Sequence, residues 1–255
     1  MFKRFLESIG PLLGLSLMVL SWYLFLLIWP KWVRVLPWPH MVIRALISFP
    51  LDSAFRSDFA ATVWRASVGF ILGNLSAIPF GFLMNRFRCL RICLVFLFDF
   101  FRSLPAVVFL FLVTMLFDPA TIEMYITLIT IPVFLVMTLH FLYGLDRCSV
   151  LRKGVARKLG LKDKEIFLKV EMREALPEII TGMRTSISIS LIVTVVVEMY
   201  FPTKGGLGAF IYSASQNVGK TADLWAAIVV LGLLGFSLNQ IFVYIDRKYC
   251  FWRGK

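Results

Sequence analysis

Long apolar runs alternate along the chain with short polar segments, and this pattern predicts an all-α membrane protein with about six transmembrane helices. A spanning helix needs about 20 mainly apolar residues, because the lipid interior offers no water to the backbone polar groups. Six windows approach this length: residues 12–29, 62–84, 93–117, 121–143, 179–199 and 224–244. Pro105 and Pro132 lie inside the third and fourth windows, where each is expected to kink or interrupt the helix.

The composition excludes a soluble globular domain. Of the 255 residues, 59% are hydrophobic and 16% are charged, and the mean hydropathy is +0.83. These values are typical of a membrane protein. The net charge of +12 would favour nucleic-acid binding only if the basic residues formed one water-facing surface. They lie instead in short clusters between apolar runs, so no nucleic-acid partner is expected and the partner surface is the lipid bilayer.

The basic residues also predict the orientation in the membrane. With a cytoplasmic N-terminus, 18 Lys and Arg residues lie on the cytoplasmic side and six lie outside, which agrees with the positive-inside rule. Lys3 and Arg4 precede the first apolar run as in a secretory signal peptide, but no small-residue cleavage site follows. We therefore expect a retained first span and a multi-pass protein of the bacterial inner membrane, with both termini in the cytoplasm.

Polar segments divide the chain into three parts. Residues 1–61 hold the first span and an outer connector with a short interfacial helix, 62–246 form a core of five spans, and 247–255 form a basic cytoplasmic tail. The core contains a cytoplasmic loop, 145–178, that is too long for a tight connection. Within it, Gly160 permits a turn between helices expected at 152–159 and 164–174. The second helix is amphipathic, and its apolar face could simply lie on the lipid headgroups.

Neither a metal nor a nucleotide is expected to bind this chain. Cys89, Cys93, Cys148 and Cys250 all fall near cytoplasmic ends, where thiols stay reduced, and no His or carboxylate cluster accompanies them. They are interpreted as small apolar fillers. Residues 214–221 formally satisfy a relaxed phosphate-loop pattern, but no buried strand precedes them and they fall on the outer side.

The residue order of the 145–178 loop is distinctive. It reads Val155-Ala156-Arg157-Lys158-Leu159-Gly160, then Ile166-Phe167, Ala175-Leu176-Pro177-Glu178-Ile179 and Thr181-Gly182-Met183-Arg184. This order resembles the cytoplasmic "EAA" loop of type I ABC importer permeases. Glu198-Met199 and Gly205-Gly206-Leu207-Gly208 resemble the sulfonate, taurine and nitrate branch, and the likeness covers roughly residues 36–247. Gly154 stands where the family usually has the first Glu of the loop, and Arg173 where it often has a Pro.

The resemblance implies a MetI-like fold and a permease subunit of an ATP-driven, binding-protein-dependent importer of a small anion such as a sulfonate, taurine or nitrate. It implies that the loop contains coupling helices that dock onto a separate ATPase, which binds the ATP and Mg. The implied partners are two ATPase subunits, a periplasmic or lipoprotein substrate-binding protein and a second copy of this chain. The residues matched to ATPase coupling are Ala156, Leu159, Gly160, Ile166, Phe167 and Val170.

Charges inside the spans are the candidates for the transport pathway, because such charges usually face a cavity or a partner. Arg65 and Glu198 lie near outer ends of spans and could pair, either as an outer gate or to fix helix packing. Arg102 lies deeper, where it either attracts an anionic substrate or pairs with Asp99 three residues earlier.

Other small residues and a histidine are assigned to packing. Gly69 and Gly73 have the spacing that lets two membrane helices approach closely. His140 is expected only to pack.

Two alternatives remain open at the level of sequence. The first is an importer of a different small metabolite, such as a vitamin or a pyrimidine precursor. The second is a channel or membrane enzyme that works without ATP. Against the second stand the absence of clustered His, Asp or Glu residues for chemistry and of a filter-like polar run.

Overall fold

The computed structural model describes residues 2–119 and 121–250, and helices account for the regular structure in those residues. Four helices are long and apolar enough to cross a membrane. They are Ser53–Arg86, Ile122–Asp146, Asp163–Tyr200 and Val218–Tyr249. Two bent pairs would raise the number of spans to six if each pair counts as one span. The expectation of an all-α membrane protein with about six spans is confirmed.

Three helices form the centre of the molecule. Helix α6 (Ile122–Asp146) lies between α3 (Ser53–Arg86) and α9 (Met172–Tyr200), which also touch each other. Small residues set these approaches: Gly69 faces Ile129 of α6, and Gly73 faces Val133 so closely that a Cβ atom at position 73 would lie 2.8 Å from the Val133 Cβ. The packing role predicted for the two glycines is confirmed.

The two bent pairs lie at the first and third predicted spans. Helix α1 (Phe2–Ile28) turns into the short helix α2 (Pro39–Ser48), and the described part of this pair, Ser16–Ile28 against Pro30–Leu51, is bent by 114°. Helices α4 (Arg88–Ser103) and α5 (Val108–Thr114) are bent by 104° around Pro105. The interruption predicted at Pro105 is therefore present. Proline has no backbone N–H to donate, and its ring clashes with the carbonyl group of the preceding helical turn.

Prolines in α6 and α9 behave differently. Helix α6 runs without a break through Pro132. The short helix α8 (Asp163–Ile166) continues through a π-helical turn, Phe167–Glu171, directly into α9, which contains Pro177. The expected boundary between a second loop helix and the fifth span is therefore wrong. Ala175 and Ile179 flank Pro177 in one buried cluster with Phe141 of α6, and this packing offsets the hydrogen bond that the proline cannot make.

The two ends of the bundle are defined by short elements. The loop end carries helix α7 (Val150–Lys158) and the turn at Gly160. The glycine end carries residues 205–208 and helix α10 (Leu207–Ser215), which packs with α2 and with α11 (Thr221–Tyr249) around Phe49, Leu207 and Ala226. The interfacial helix predicted for the outer connector corresponds to α2.

Two expected boundaries differ from the observed helices. Helix α3 already begins at Ser53, where Asp52 caps it, so residues 53–61 belong to that helix and not to the connector. Helix α11 continues to Tyr249, so Arg247 and Lys248 are helical. The remaining tail residues, 251–255, lie outside the described residues.

Candidate functional site

A buried ion pair joins α3 to α9 near the glycine end. Arg65 Nη1 lies 2.7 Å from Glu198 Oε1, and the Glu198 side chain is fully buried. The other carboxylate oxygen of Glu198 accepts hydrogen bonds from the Thr62 hydroxyl at 2.7 Å and from the Gly208 backbone N–H at 3.0 Å. The pairing of Arg65 with Glu198 that the sequence suggested is thus present.

The same side chains hold the backbone of residues 204–207. Arg65 donates to the carbonyl oxygens of Lys204 at 2.8 Å and Gly205 at 2.9 Å. The Asp58 carboxylate accepts from the Gly206 N–H at 2.7 Å, and the Thr62 hydroxyl accepts from the Leu207 N–H at 2.8 Å. We call Asp58, Thr62, Arg65 and Glu198 the α3–α9 clamp, because they fasten the turn into α10 to two long helices.

The glycines of this turn are required by its geometry. Gly205 and Gly206 have φ angles of +67° and +113°, which side chains rarely tolerate. A Cβ atom at Gly206 would collide with the Glu198 carboxylate, and one at Gly208 would lie 2.7 Å from the Glu198 Cβ atom. The motif that the sequence associated with one branch of importers is therefore built around Glu198.

Asp58 and Thr62 were missed as functional candidates from the sequence. They lie in the polar start of α3, which the sequence assigned mainly to the outer connector. A signal was nevertheless present, since positions 58, 62 and 65 recur at the spacing of one helix face. The buried Arg65 guanidinium is satisfied by Glu198 and two backbone carbonyls, and it also lies over the Tyr125 ring, 4.6 Å from the centroid.

Arg102 lies in the last turn of α4, beside the break at Pro105. Its Nε atom is 3.0 Å from Asp99 Oδ1, as the alternative interpretation of the sequence held. Both side chains remain more than 40% exposed. The pair is therefore exposed at the surface of the chain, whereas Arg65 and Glu198 are buried in the core.

At the loop end, part of the predicted coupling set holds the loop onto the bundle. Ala156 and Ile166 are buried, and the Phe167 ring packs edge to face on Phe82 of α3 with a centroid distance of 4.8 Å. Val170 is half-buried. The Phe167–Phe82 contact thus joins the loop directly to α3.

Other residues of the loop face outward. Leu159 is 74% exposed beside Gly160, whose φ of +83° makes the turn after α7. Leu151 of the same helix is 76% exposed and was not singled out from the sequence. Both side chains project from a segment that is otherwise basic and polar.

Ion pairs fasten residues 147–153 to the helical run that leads into α9. Lys153 contacts Glu171 at 2.9 Å, Arg152 contacts Glu174 at 3.0 Å, and Arg147 contacts Glu178 at 2.9 Å. The three carboxylates lie at positions i, i+3 and i+7, on one face of the continuous helix. The loop is thus a folded unit attached to the helical run that leads into α9.

Two further sequence interpretations concern His140 and the cysteines. His140 packs beside Gly182, and its Nδ1 atom lies 3.5 Å from Glu178 Oε1. Cys148 is buried, as expected for a filler, and burial together with the adjacent Glu174 raises the pKa of its thiol to about 11. Cys89 and Cys93 are exposed on α4, so the filler interpretation is wrong for them.

Residues 214–221 form a helix corner and not a phosphate loop. They comprise the end of α10, a 3-10 turn at Val218–Lys220 and the first residue of α11. The Gly219 N–H is already bonded to the Asn217 side chain at 3.0 Å.

Comparison with known proteins identifies the family. The model of the inner membrane component of binding-protein-dependent transport systems matches residues 69–249. The chain belongs to this family. The permease is therefore a multi-pass transport subunit and not an enzyme, and it is similar over nearly its whole length to curated ABC transporter permeases. A probable ABC transporter permease of Brucella abortus (strain 2308) is 30% identical over 96% of this chain and 98% of its own.

Two more distant relatives carry a substrate in their names. The taurine transport system permease protein TauC of Escherichia coli K12 is 25% identical over 86% of this permease and 81% of its own length. The nitrate import permease protein NrtB of Leptolyngbya laminosa is 28% identical over 77% of this permease and 70% of its own length.

Solved structures support the fold. A chain of an amino acid ABC transporter superposes with a TM-score of 0.64 at 12% identity, covering 76% of this permease and 94% of that chain. A chain of the inward-facing MetNI methionine transporter superposes with a TM-score of 0.62 at 16% identity, covering 78% of this permease and 99% of that chain. The expected MetI-like fold is confirmed.

Proposed function

We propose that the permease imports a small anion, delivered by an external binding protein, and that its 145–178 loop docks onto a separate ATPase, with two ATPase subunits in the assembled importer. The observation that carries this proposal is the pair of exposed leucines, Leu151 in the basic helix α7 and Leu159 directly after it, on a segment held to α9 by ion pairs. Such a surface suits docking, because its apolar side chains are free to enter a partner groove while α9 carries any movement into the bundle.

In the proposed orientation the permease lies in the inner membrane and its loop end faces the cytoplasm. The support for this orientation is the excess of Lys and Arg residues, 18 on the loop end's side and six on the other. Both termini then lie in the cytoplasm, and the glycine end faces the binding protein.

Two observations support an anionic substrate: the substrates named for related permeases, and the exposed guanidinium of Arg102. TauC and NrtB are named for taurine and nitrate, and both molecules carry an anionic group. Arg102 stands at the break between α4 and α5 with 44% of its side chain exposed, so it can offer positive charge to a path there. Asp99 moderates that charge and keeps the anion from binding too tightly to leave.

A second copy of the chain is proposed to complete the pathway. One chain supplies only one permease core, and the exposed Asp99–Arg102 pair on α4 needs a protein or aqueous environment because lipid would not solvate it. In a homodimer the two pairs face a shared path. The clamp of Arg65 and Glu198, by contrast, acts as a fixed support at the outer end of each copy.

The coupling role is tested with Leu159→Asp. A buried charge in the docking surface costs binding energy, so we expect the variant to insert normally and to lose most of the co-purifying ATPase subunit. Membrane fractionation measures insertion, and ATP hydrolysis by reconstituted complexes measures coupling.

The matched control is Val218→Asp, since Val218 is 75% exposed but lies at the glycine end. We expect it to retain the ATPase. Equal ATPase content in the Leu159 variant and in the wild type would refute docking through this loop.

A further inference from the structure

A basic groove lies at the loop end between the start of α9 and the end of α11. Its volume is about 590 Å³, and its cations are Arg152, Lys169, Arg173 and Lys248. Glu174 is the one acid among the residues that line it. The groove therefore has a net positive charge.

Two of the cations are available to a ligand. Glu174 is already occupied, since one oxygen contacts Arg152 at 3.0 Å and the other accepts from the Ser149 N–H at 3.0 Å. Lys169 contacts Glu165 at 3.2 Å. Arg173 and Lys248 are both exposed, and in residues 2–119 and 121–250 no carboxylate lies within 4.0 Å of either. Their charges can therefore converge on an anion without first breaking an ion pair.

The floor of the groove is apolar. Val170 and Leu176 line it from the helix that leads into α9, and the Tyr249 ring lines it from α11 with 53% of the residue exposed. Both long helices are candidate membrane spans, so the groove lies where a span emerges from the apolar layer. Aromatic rings are characteristic of that level of the bilayer.

We propose that this groove binds the phosphate-bearing headgroup of an anionic phospholipid. Arg173 and Lys248 contact the phosphate, while Leu176 and Tyr249 lie against the glycerol and the first acyl carbons. Basic pockets between membrane helices at this level suit such headgroups, because charge attracts the phosphate and the apolar floor retains the lipid body. A soluble phosphate ester carries the same negative charge as the headgroup, but it has no acyl chain to contact the apolar floor of the groove. The proposal is independent of the transported substrate.

The test uses the purified full-length permease in mixed micelles with dioleoylphosphatidylglycerol or dioleoylphosphatidylcholine, and native mass spectrometry counts bound lipid. We expect the wild type to prefer phosphatidylglycerol. The double variant Arg173→Gln/Lys248→Gln should lose affinity for it by about tenfold, with phosphatidylcholine unchanged. The charge-conserving variant Arg173→Lys/Lys248→Arg should keep the preference, which separates lost charge from lost folding.

The control Lys158→Gln/Lys162→Gln removes two charges from the same loop outside the groove and should retain the preference. Equal binding of the two lipids by the wild type, or equal losses in the groove and control variants, would overturn the proposal. So would displacement of phosphatidylglycerol by glycerol 3-phosphate at matched concentration, since that result assigns the groove to soluble phosphates.

Discussion

At the residue scale, the carboxylate of Glu198 depends on Arg65 for its place in the interior. Replacing either partner alone leaves a buried charge without its counter-charge, which costs about 3–5 kcal/mol. We therefore expect Arg65→Met and Glu198→Met each to lower the unfolding temperature in detergent strongly. The double variant, in which neither charge is left, should be more stable than either single variant.

Arg44→Met is the matched control for this cycle, because Arg44 is exposed on α2. It should change the free energy of unfolding by less than about 0.5 kcal/mol. The stability losses of the two single variants could instead add up in the double variant. That result would mean that Arg65 and Glu198 have no coupling energy, and that the α3–α9 clamp stabilises the permease only through its hydrogen bonds to the backbone.

The Cys148 thiol offers a prediction about pH. Because burial, with Glu174 nearby, raises its pKa to about 11, only about one thiol in three thousand is ionised at pH 7.5. A variant that keeps Cys148 alone should therefore react slowly with a maleimide at pH 7.5, and faster as the pH rises toward 11. A variant that keeps only the exposed Cys89 should react readily at pH 7.5. Equal rates at that pH would contradict the buried position of Cys148.

At the element scale, two glycines in helices have opposite environments. A Cβ atom at Gly154 of α7 would meet nothing within 4 Å, whereas one at Gly73 of α3 would press on Val133 and lie 3.1 Å from the Thr130 carbonyl oxygen. Gly154→Ala should therefore stabilise the permease by up to about 1 kcal/mol, through helix propensity alone. Gly73→Ala should destabilise it by about 1–3 kcal/mol.

Denaturant unfolding monitored by circular dichroism measures both glycine variants. Stabilisation by Gly73→Ala would mean that α3 and α6 do not approach as closely as described. Loss of stability in Gly154→Ala would mean that α7 contacts something at that position.

Sequence predicted most of the elements because membrane spans follow from apolar length, which is a local property. It could not decide what each proline does. The helix is broken at Pro105, between α4 and α5, whereas α9 continues through Pro177, where the neighbouring Ala175 and Ile179 contact Phe141 of α6. Those contacts come from α6, so no local pattern contains them.

The sequence predicted the candidate site less completely than the elements. The rule that charges inside spans are functional or paired located Arg65 and Glu198, but they are 133 residues apart and only the fold brings them together. Asp58 and Thr62 lie in a polar stretch where single polar residues carry no such signal. In the loop, likeness to a family marked the buried Ala156 and Ile166, while the exposure of Leu151 required coordinates.

At the scale of the whole molecule, the proposed function requires one orientation, and cysteine labelling tests it. In a background without native cysteines, Gly219→Cys places a thiol at the glycine end and Lys158→Cys places one at the loop end, both at exposed positions. With 18 basic residues on the loop end's side against six, an impermeant maleimide added to intact cells should label position 219 and not 158.

Permeabilised cells should label both positions, which controls for reactivity. The reverse pattern in intact cells would put the 145–178 loop outside, away from any ATP. The exposed leucines of α7 could then not serve an ATPase, and the basic groove beside α11 would face the outer leaflet. Orientation is therefore the single property on which the coupling surface and its energy source both depend.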